Sequence, residues 1–338
     1  MPHAWDCDVD GFEFRLLNDY QRGFPLHARP YAGIAHALGR SEAETLDTLA
    51  RLQASGKVSR IGATFAPGRI GAATLAAMSV PAARLAAVAR LVNSFPEVNH
   101  NYEREHAYNL WFVVTAPDPA RVETVVCAIE SAARCGTVLS LPMIEPYHID
   151  LGFDLAQRDA APPREVVREG RARQMALSPR ERALVIALQE GLALVPEPYA
   201  ELARRAGMPE HEALATLARW VEDGVIKRIG AIVRHRQLGF RANAMVVWDV
   251  PDAEVTEVGR TVARLPEVTL CYRRERRLPA WRYNLYCMIH GRGRTHVLAQ
   301  IAGMDARCDL VKYPHEVLFS RRCFKQHGAR YVGGAAHG

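Results

Sequence analysis

The sequence predicts an α+β fold made twice over in tandem. Each copy reads as a winged helix-turn-helix unit followed by a ferredoxin-like βαββαβ domain. Three observations predict it. The first is a repeat. KVSRIGATF (Lys57–Phe65) returns as VIKRIGAIV (Val225–Val233), so that Arg60 matches Arg228. At the same offset Pro30-Tyr31-Ala32 matches Pro198-Tyr199-Ala200, Gly39 matches Gly207, Glu44 matches Glu212 and Gly56 matches Gly224. The second is a pair of short helical patterns split by a glycine ahead of each repeat. The third is the alternation of strand and helix patterns that follows in both halves.

In copy one an apolar-periodic helix precedes helices over Pro30–Leu38 and Glu42–Ala54. In copy two these become Ser178–Gln189, Tyr199–Ala206 and Pro209–Glu222, and Ser178-Pro179-Arg180-Glu181 has the form of a capping box with proline at the first helical position. A basic hairpin, the wing, closes each unit. Strands over Ala72–Val80, Glu97–Arg104, Tyr108–Thr115 and Thr137–Ile144 then enclose helices over Ala82–Ser94 and Asp118–Ala133. The second set is Ala242–Val250, Val268–Arg274, Tyr283–His290 and Asp309–Leu318, with helices over Ala253–Leu265 and Arg294–Gly303. Tyr108-Asn109-Leu110 matches Tyr283-Asn284-Leu285 at a larger offset, so the second copy has the longer connection there. The division is 1–66 and 178–234 for the helix-turn-helix units, 67–155 and 235–331 for the ferredoxin-like domains, and 156–177 for a polar, proline-containing linker.

Composition narrows the function. Of 338 residues 49% are hydrophobic and 24% charged, the balance of a globular protein with an ample core. No run of 18 apolar residues occurs and the first ten lack a signal-like apolar stretch, so a cytoplasmic protein is expected. The seven cysteines form no CxxC and read as reduced core thiols. A net charge of +6 points to an anionic partner. DNA is disfavoured, because the would-be recognition helices carry Glu42, Glu44 and Asp47, or Glu210, Glu212, Glu222 and Asp223, where a groove reader needs basic or amide side chains.

The positive charge lies instead in two sheet walls, EVNHNYEREHAYNLWFVV (Glu97–Val114) and EVTLCYRRERRLPAWRYNLYCM (Glu267–Met288). In an extended strand His100, Tyr102 and Arg104 share one face. In copy two Leu270 replaces His100 while Tyr272 and Arg274 persist, so the two walls are not equivalent. Several residues read as structural. Arg60 and Arg228 suit an ion pair or a carbonyl contact in the wing, and His290 and His315 suit satisfied structural groups. Arg276 and Arg277 fit equally a solvated hairpin tip or a site. The two Tyr-Asn-Leu segments fit equally strand packing with an asparagine turn contact.

A helix-turn-helix followed by βαββαβ resembles the Lrp/AsnC regulators with their RAM ligand domain. HNYEREHAYNLWFV (His100–Val113), RHRQLGFRANAM (Arg234–Met245), CYRRERRLPAWRYNLYCMIHG (Cys271–Gly291) and FKQHGARY (Phe324–Tyr331) are more specific, and they resemble the sirohaem decarboxylases in their fused NirDL form. The resemblance covers nearly the whole chain. It implies removal of the C12 and C18 acetate carboxyls of sirohaem, giving 12,18-didecarboxysirohaem on the route to haem d1. It also implies two subunits supplied as a pseudo-dimer in one chain, with a further homodimer open. The iron would belong to the substrate, and no redox cofactor or membrane is needed. Such a substrate calls for arginine forks and aromatic faces. The residues that fit catalysis are His100, Arg104 and His106. Those that fit substrate binding are Tyr102, Tyr108, His148, Arg234, Arg236, Tyr272, Arg273, Arg274, Arg276, Tyr283 and Lys325. His148 and Lys325 are expected beyond the last strand of each copy. Histidine is the natural proton donor near neutral pH, and it also suits axial ligation of the substrate iron; the sequence leaves both open. A ligand-responsive regulator and a non-catalytic tetrapyrrole carrier are the alternatives.

Overall fold

The computed structural model describes residues 11–149, 152, 155 and 174–331. Residues 1–10, with Cys7, and most of the expected linker, 156–173, lie outside the described residues. Each copy begins with three helices: α1 (Phe12–Asp19), α2 (Pro30–Ala37) and α3 (Glu42–Ala54), then α6 (Pro179–Glu190), α7 (Pro198–Ala206) and α8 (Glu210–Glu222) in copy two. (Helices and strands are numbered in chain order.) Capping boxes start two of them, Ser41 with Glu44 at α3 and Ser178 with Glu181 at α6.

The wing differs from the expected hairpin. Each copy supplies a single strand, β1 (Val58–Phe65) or β6 (Ile226–Val233), and the two pair antiparallel with each other, Gly62 opposite Gly230. These glycines are equivalent in the repeat, so a pseudo-two-fold axis passes between them. The chain leaving each first helix crosses to the other copy. Ala231 N–H donates to Tyr20 O at 2.8 Å, and Leu192 N–H donates to Ile61 O at 2.8 Å. The equivalent tyrosines repeat the exchange: Tyr31 Oη donates to Ala193 O and Tyr199 Oη to Pro25 O. One apolar core therefore serves both helical units, with Leu17, Leu49, Leu184, Leu217 and Trp220 buried in it.

The ferredoxin-like halves contribute β2 (Ala72–Met78), β3 (Val98–Arg104), β4 (Leu110–Ala116) and β5 (Leu139–Ile149), then β7 (Ala242–Trp248), β8 (Val268–Arg274), β9 (Leu285–Gly291) and β10 (His315–Gln326). Helices α4 (Leu85–Ser94) and α5 (Pro119–Ala133) cover the first sheet, and α9 (Val255–Ala263) and α10 (Arg294–Cys308) cover the second. Alternation sorts the side chains. Leu110, Phe112 and Val114 face the helices, while Trp111 and Val113 face the other way. The two asparagines of the Tyr-Asn-Leu segments are structural. Asn109 exchanges two hydrogen bonds with the Val80 backbone, and Asn284 does the same with Val250.

The closing strands are longer than the sequence predicts, and their continuations change sheet. The first half of β5 pairs with β2 and its second half with β8. Likewise β10 pairs with β7 and then with β3. The result is a closed eight-stranded barrel in the order β10-β3-β4-β2-β5-β8-β9-β7. Closure removes the open edges that β3 and β8 would present. Pro142 and Pro146, which argue locally for a strand end, sit next to the register shifts in β5. His148 and Lys325 therefore lie within strands, not beyond them. Helix α10 also runs past Gly303 to a left-handed cap at Asp309. Of the described cysteines, Cys271 and Cys287 are buried, but Cys127 and Cys323 are exposed, against the expectation of core thiols. No helix among the described residues is long and apolar enough to cross a membrane.

A Cβ on Gly230 would lie 2.4 Å from the carbonyl oxygens of both Tyr20 and Gln21, which are backbone and cannot turn away. Gly230→Ala is therefore expected to cost about 1–3 kcal/mol and to lower the thermal midpoint. An unchanged melting curve would show that the chain after α1 does not pack on β6 in this way.

Candidate active site

A β-bulge separates Val98 from His100 in β3, and the same bulge separates Val268 from Leu270 in β8. Beyond it, His100, Tyr102 and Arg104 point into the barrel together, as do Leu270, Tyr272 and Arg274 opposite them. They line a cavity of about 390 Å3, within the usual range for ligand sites. The wing strands and the segment Gln326–Tyr331 complete the lining near His100. The other end of the barrel is filled by Trp111, Tyr286 and Trp281, with Trp111 and Trp281 in edge contact at 5.2 Å.

Five arginines (60, 104, 228, 234 and 274) and three histidines (100, 290 and 327) line the cavity, and among the described residues no aspartate or glutamate does. The arginines differ in what they already hold. Arg104 Nη1 donates to Leu318 O at 3.0 Å, and its repeat partner Arg274 donates to Leu141 O at 2.5 Å. Each thus ties its wall to the other copy's closing strand. Their planes lie over tyrosines, Arg104 at 5.9 Å from the Tyr102 ring and Arg274 at 4.6 Å from that of Tyr272. Burial lowers the pKa of Arg104 to about 10, so it stays charged. Arg228 donates to Gln21 O at 2.6 Å and to Ala231 O at 3.3 Å, the carbonyl contact expected of it. Arg234 makes no side-chain hydrogen bond or ion pair among the described residues, and its Nε is buried. Arg236 stands just outside the lining. Its charge reaches Tyr102 and Arg104, and its Nη1 is buried without a partner.

His100 stacks near Tyr102 with ring centroids 6.1 Å apart. Burial, then the neighbouring His327 and Arg60, push its pKa down to about 4. It is thus neutral at pH 7. His290 is set differently. The single hydroxyl proton of Thr269 goes to Met288 O at 2.9 Å, so the 2.9 Å contact between Thr269 and His290 is a donation from Nδ1–H of the ring.

The comparisons with known proteins can be placed on this geometry. The model of the AsnC-like ligand binding domain matches residues 69–148 and 237–325. The model of the siroheme decarboxylase NirDL-like HTH domain matches residues 13–58 and 181–227. A siroheme decarboxylase NirDL subunit of Paracoccus denitrificans is 44% identical over 328 residues, covering 97% of this chain and 99% of the relative. The chain belongs to the sirohaem decarboxylase NirDL family. A siroheme decarboxylase of Hydrogenobacter thermophilus is 33% identical over 324 residues, 95% of either chain. The crystal structure of the siroheme decarboxylase NirDL superposes with a TM-score of 0.68 at 30% identity, covering 95% of this chain and 94% of that one. A crystal structure of NirDL in co-complex with an iron-uroporphyrin III analogue gives a TM-score of 0.66 at 30% identity, over 94% and 93%.

For this NirDL-family chain the cavity gathers His100, Tyr102, Arg104, Arg234, Tyr272 and Arg274 from the residues singled out in the sequence. Others lie elsewhere. His106 sits at the packed end, its Nδ1 accepting from Tyr108 N–H at 2.9 Å and its ring edge-on to Trp281 at 5.4 Å. Tyr108 and Tyr283 pack against the same tryptophan. Arg273 pairs with Asp252 at 2.9 Å, and Arg276 pairs with Asp249 at 2.8 Å and Asp252 at 2.6 Å. Lys325 caps α4 through Asn93 O and Phe95 O. His148 lies opposite Cys271 in the β5–β8 ladder and does not line the cavity. The sequence reading missed Arg60, His290 and His327 as cavity residues. For His290 the signal was available: it follows Tyr286 and Met288 at the two-residue period of an inward face.

The depressed pKa of His100 has a consequence for stability. In the unfolded chain the ring takes a proton near pH 6.5, but in the folded one only near 4. Between those values the unfolded state binds the extra proton, so folding stability falls as pH drops from 6.5 towards 4. His100→Leu, the residue copy two carries, should remove that part of the acid limb. Unfolding midpoints measured at pH 7.5 and 4.5 should diverge in favour of the variant at the lower pH; parallel curves would mean His100 is not buried neutral.

Proposed function

We propose that this chain is a carboxy-lyase that decarboxylates sirohaem at the C12 and C18 acetates, giving 12,18-didecarboxysirohaem for haem d1 biosynthesis in the cytoplasm. The observation that carries the reading is the cavity's charge: among the described residues arginine and histidine line it without an acidic residue, and Arg234 makes no side-chain hydrogen bond or ion pair. Buried guanidinium groups left unpaired are costly, and a ligand with several carboxylates satisfies them. Tyr102 and Tyr272 offer faces to a flat ring, and Met245, Met288 and Leu270 supply apolar lining.

The reaction balances without an external oxidant or reductant. The bond between the acetate methylene and its carboxyl breaks, CO2 leaves, and the electron pair stays on the methylene carbon, delocalised into the conjugated ring. One proton then makes the methyl group. The substrate ring serves as electron sink, so no redox cofactor enters, and the iron is the substrate's own. His100 is the proton donor in this proposal. Its surroundings in the protein hold it neutral, but a polycarboxylate beside it favours the imidazolium and raises its pKa. Substrate binding therefore brings the proton that turnover needs. Arg234 and Arg236 anchor substrate carboxylates, while Arg104 and Arg274 support the walls beneath the ring.

The regulator alternative loses its basic contacts. Arg51 is bonded to Thr48 at 2.9 Å, and Arg219 is paired with Glu181 at 2.7 Å, which leaves α3 and α8 predominantly acidic. Anaerobic incubation with sirohaem followed by mass analysis should show loss of two CO2. Sirohaem bound but recovered unchanged would leave a carrier, not an enzyme. His100→Ala should slow turnover by roughly 100-fold or more, the scale of general acid catalysis, with little change in sirohaem affinity. A variant that turns over at the parent rate would remove His100 from proton transfer.

A further inference from the structure

Arg60 and Arg228 occupy the same position in the two copies of the RIGA wing motif, yet they end in different states. Arg228 spends its guanidinium on Gln21 O and Ala231 O. The repeat equivalents of those acceptors belong to Gln189 and Ala63, and Arg60 bonds to neither. It makes no side-chain hydrogen bond or ion pair among the described residues, and its Nε is buried without a partner. The C-terminal segment packs beside Arg60. Tyr331 N–H donates to the Gln189 side chain at 2.7 Å. Gly328 lies against the Arg60 guanidinium so closely that a Cβ there would come within 2.6 Å of Nη2. Among the described residues Arg60 is thus the one of the two equivalent arginines that lines the cavity without a hydrogen bond or ion pair. Glu190 exerts some pull on it, but that carboxylate pairs with Arg330 at 3.6 Å. Arg60 also lies close enough to His100 for the two charges to interact.

We propose that Arg60 is a substrate-binding residue that receives a retained propionate carboxylate of the tetrapyrrole, holding the ring in the cavity beside His100. The inference rests on the sirohaem reading above. A retained carboxylate is the better partner than the departing acetate for an energetic reason. A guanidinium paired with the departing carboxylate stabilises the charge that the transition state disperses, and so slows the reaction. The same pair made with a carboxylate that stays is equally strong before and during bond breaking. The wing thus becomes an anchoring edge of the active site. The ring is held by one arginine of the repeated pair, while its twin holds the scaffold.

Absorbance titration with sirohaem and steady-state turnover test this in the full-length parent, R60K and R60Q. R60Q is expected to raise Kd and KM by about 10- to 100-fold, the worth of a charge-assisted hydrogen bond, with kcat unchanged. R60K, which keeps the charge without the fork, should lie between. The salt dependence of binding should be weaker in R60Q than in the parent. Equal affinities for parent and R60Q overturn the proposal, as does a fall in kcat at unchanged Kd. Should R60Q fail to fold, R60K decides alone: parent-like Kd overturns the assignment, and a raised Kd at parent kcat sustains it. A parent protein that does not bind sirohaem overturns the proposed function and this inference with it, whereas the outcomes above fall on Arg60 alone.

Discussion

The molecule depends on one exchange, in which each half lends its last strand to the other. A four-stranded ferredoxin-like sheet has an open edge, and here the edges are β3 and β8. Left bare, they would be sites for aberrant pairing. By running on past their own sheets, β5 and β10 cover those edges and close the barrel. Arg104 and Arg274 mark the crossing points, each bonded to a carbonyl in the strand that has come over. Closure also creates an interior. The inward faces of two sheets that would otherwise meet solvent or a partner chain enclose a cavity instead.

Duplication gives this interior near symmetry, and substitution then breaks it. A two-fold cavity would present identical groups to both halves of a ligand. Here His100 faces Leu270 across the barrel, and the rung occupied by Asn99 and Thr115 in one copy is occupied by Thr269 and His290 in the other. The hydrogen bond across the rung survives while its chemistry changes. Arg60 and Arg228 show the same principle at the wing. The scaffold positions are inherited, but what each side chain does is set by its neighbours, which for Arg60 include Gly328 of the C-terminal segment.

That principle explains how much of the site could be read from the sequence. The shared face of His100, Tyr102 and Arg104 follows from the two-residue period of a strand, and the bulge does not disturb it because it falls before His100. The repeat itself revealed the helix-turn-helix and βαββαβ order. The fates of individual cations were not legible in this way. Arg273 and Arg276 look free in the sequence, and only the fold brings Asp249 and Asp252 to them. Lys325 meets the end of a helix from the other copy. The strand exchange left no local mark either, since Pro142 and Pro146 suggest a stop where the chain changes partner. Arg60 and Arg228 sit in nearly identical local sequences, and no local rule could separate them.

The charge that makes the cavity suited to an anion also works against the fold. Among the described residues, guanidinium nitrogens of Arg60, Arg234 and Arg236 are buried without a partner, and His100 is held neutral, and both raise the free energy of the folded chain. Stabilising interactions must be found elsewhere: in the common core of the helical units, in the closed ladder, and in the tryptophan-filled end of the barrel. Division of the barrel into a packed half and a charged half is therefore a physical requirement. Trp111 and Trp281, buried and in edge contact, pack the walls together at one end. In the function proposed above, a polycarboxylate gains from these same groups, and the electrostatics that draw it in also raise the proton affinity of His100, so that substrate binding and readiness for proton transfer are coupled.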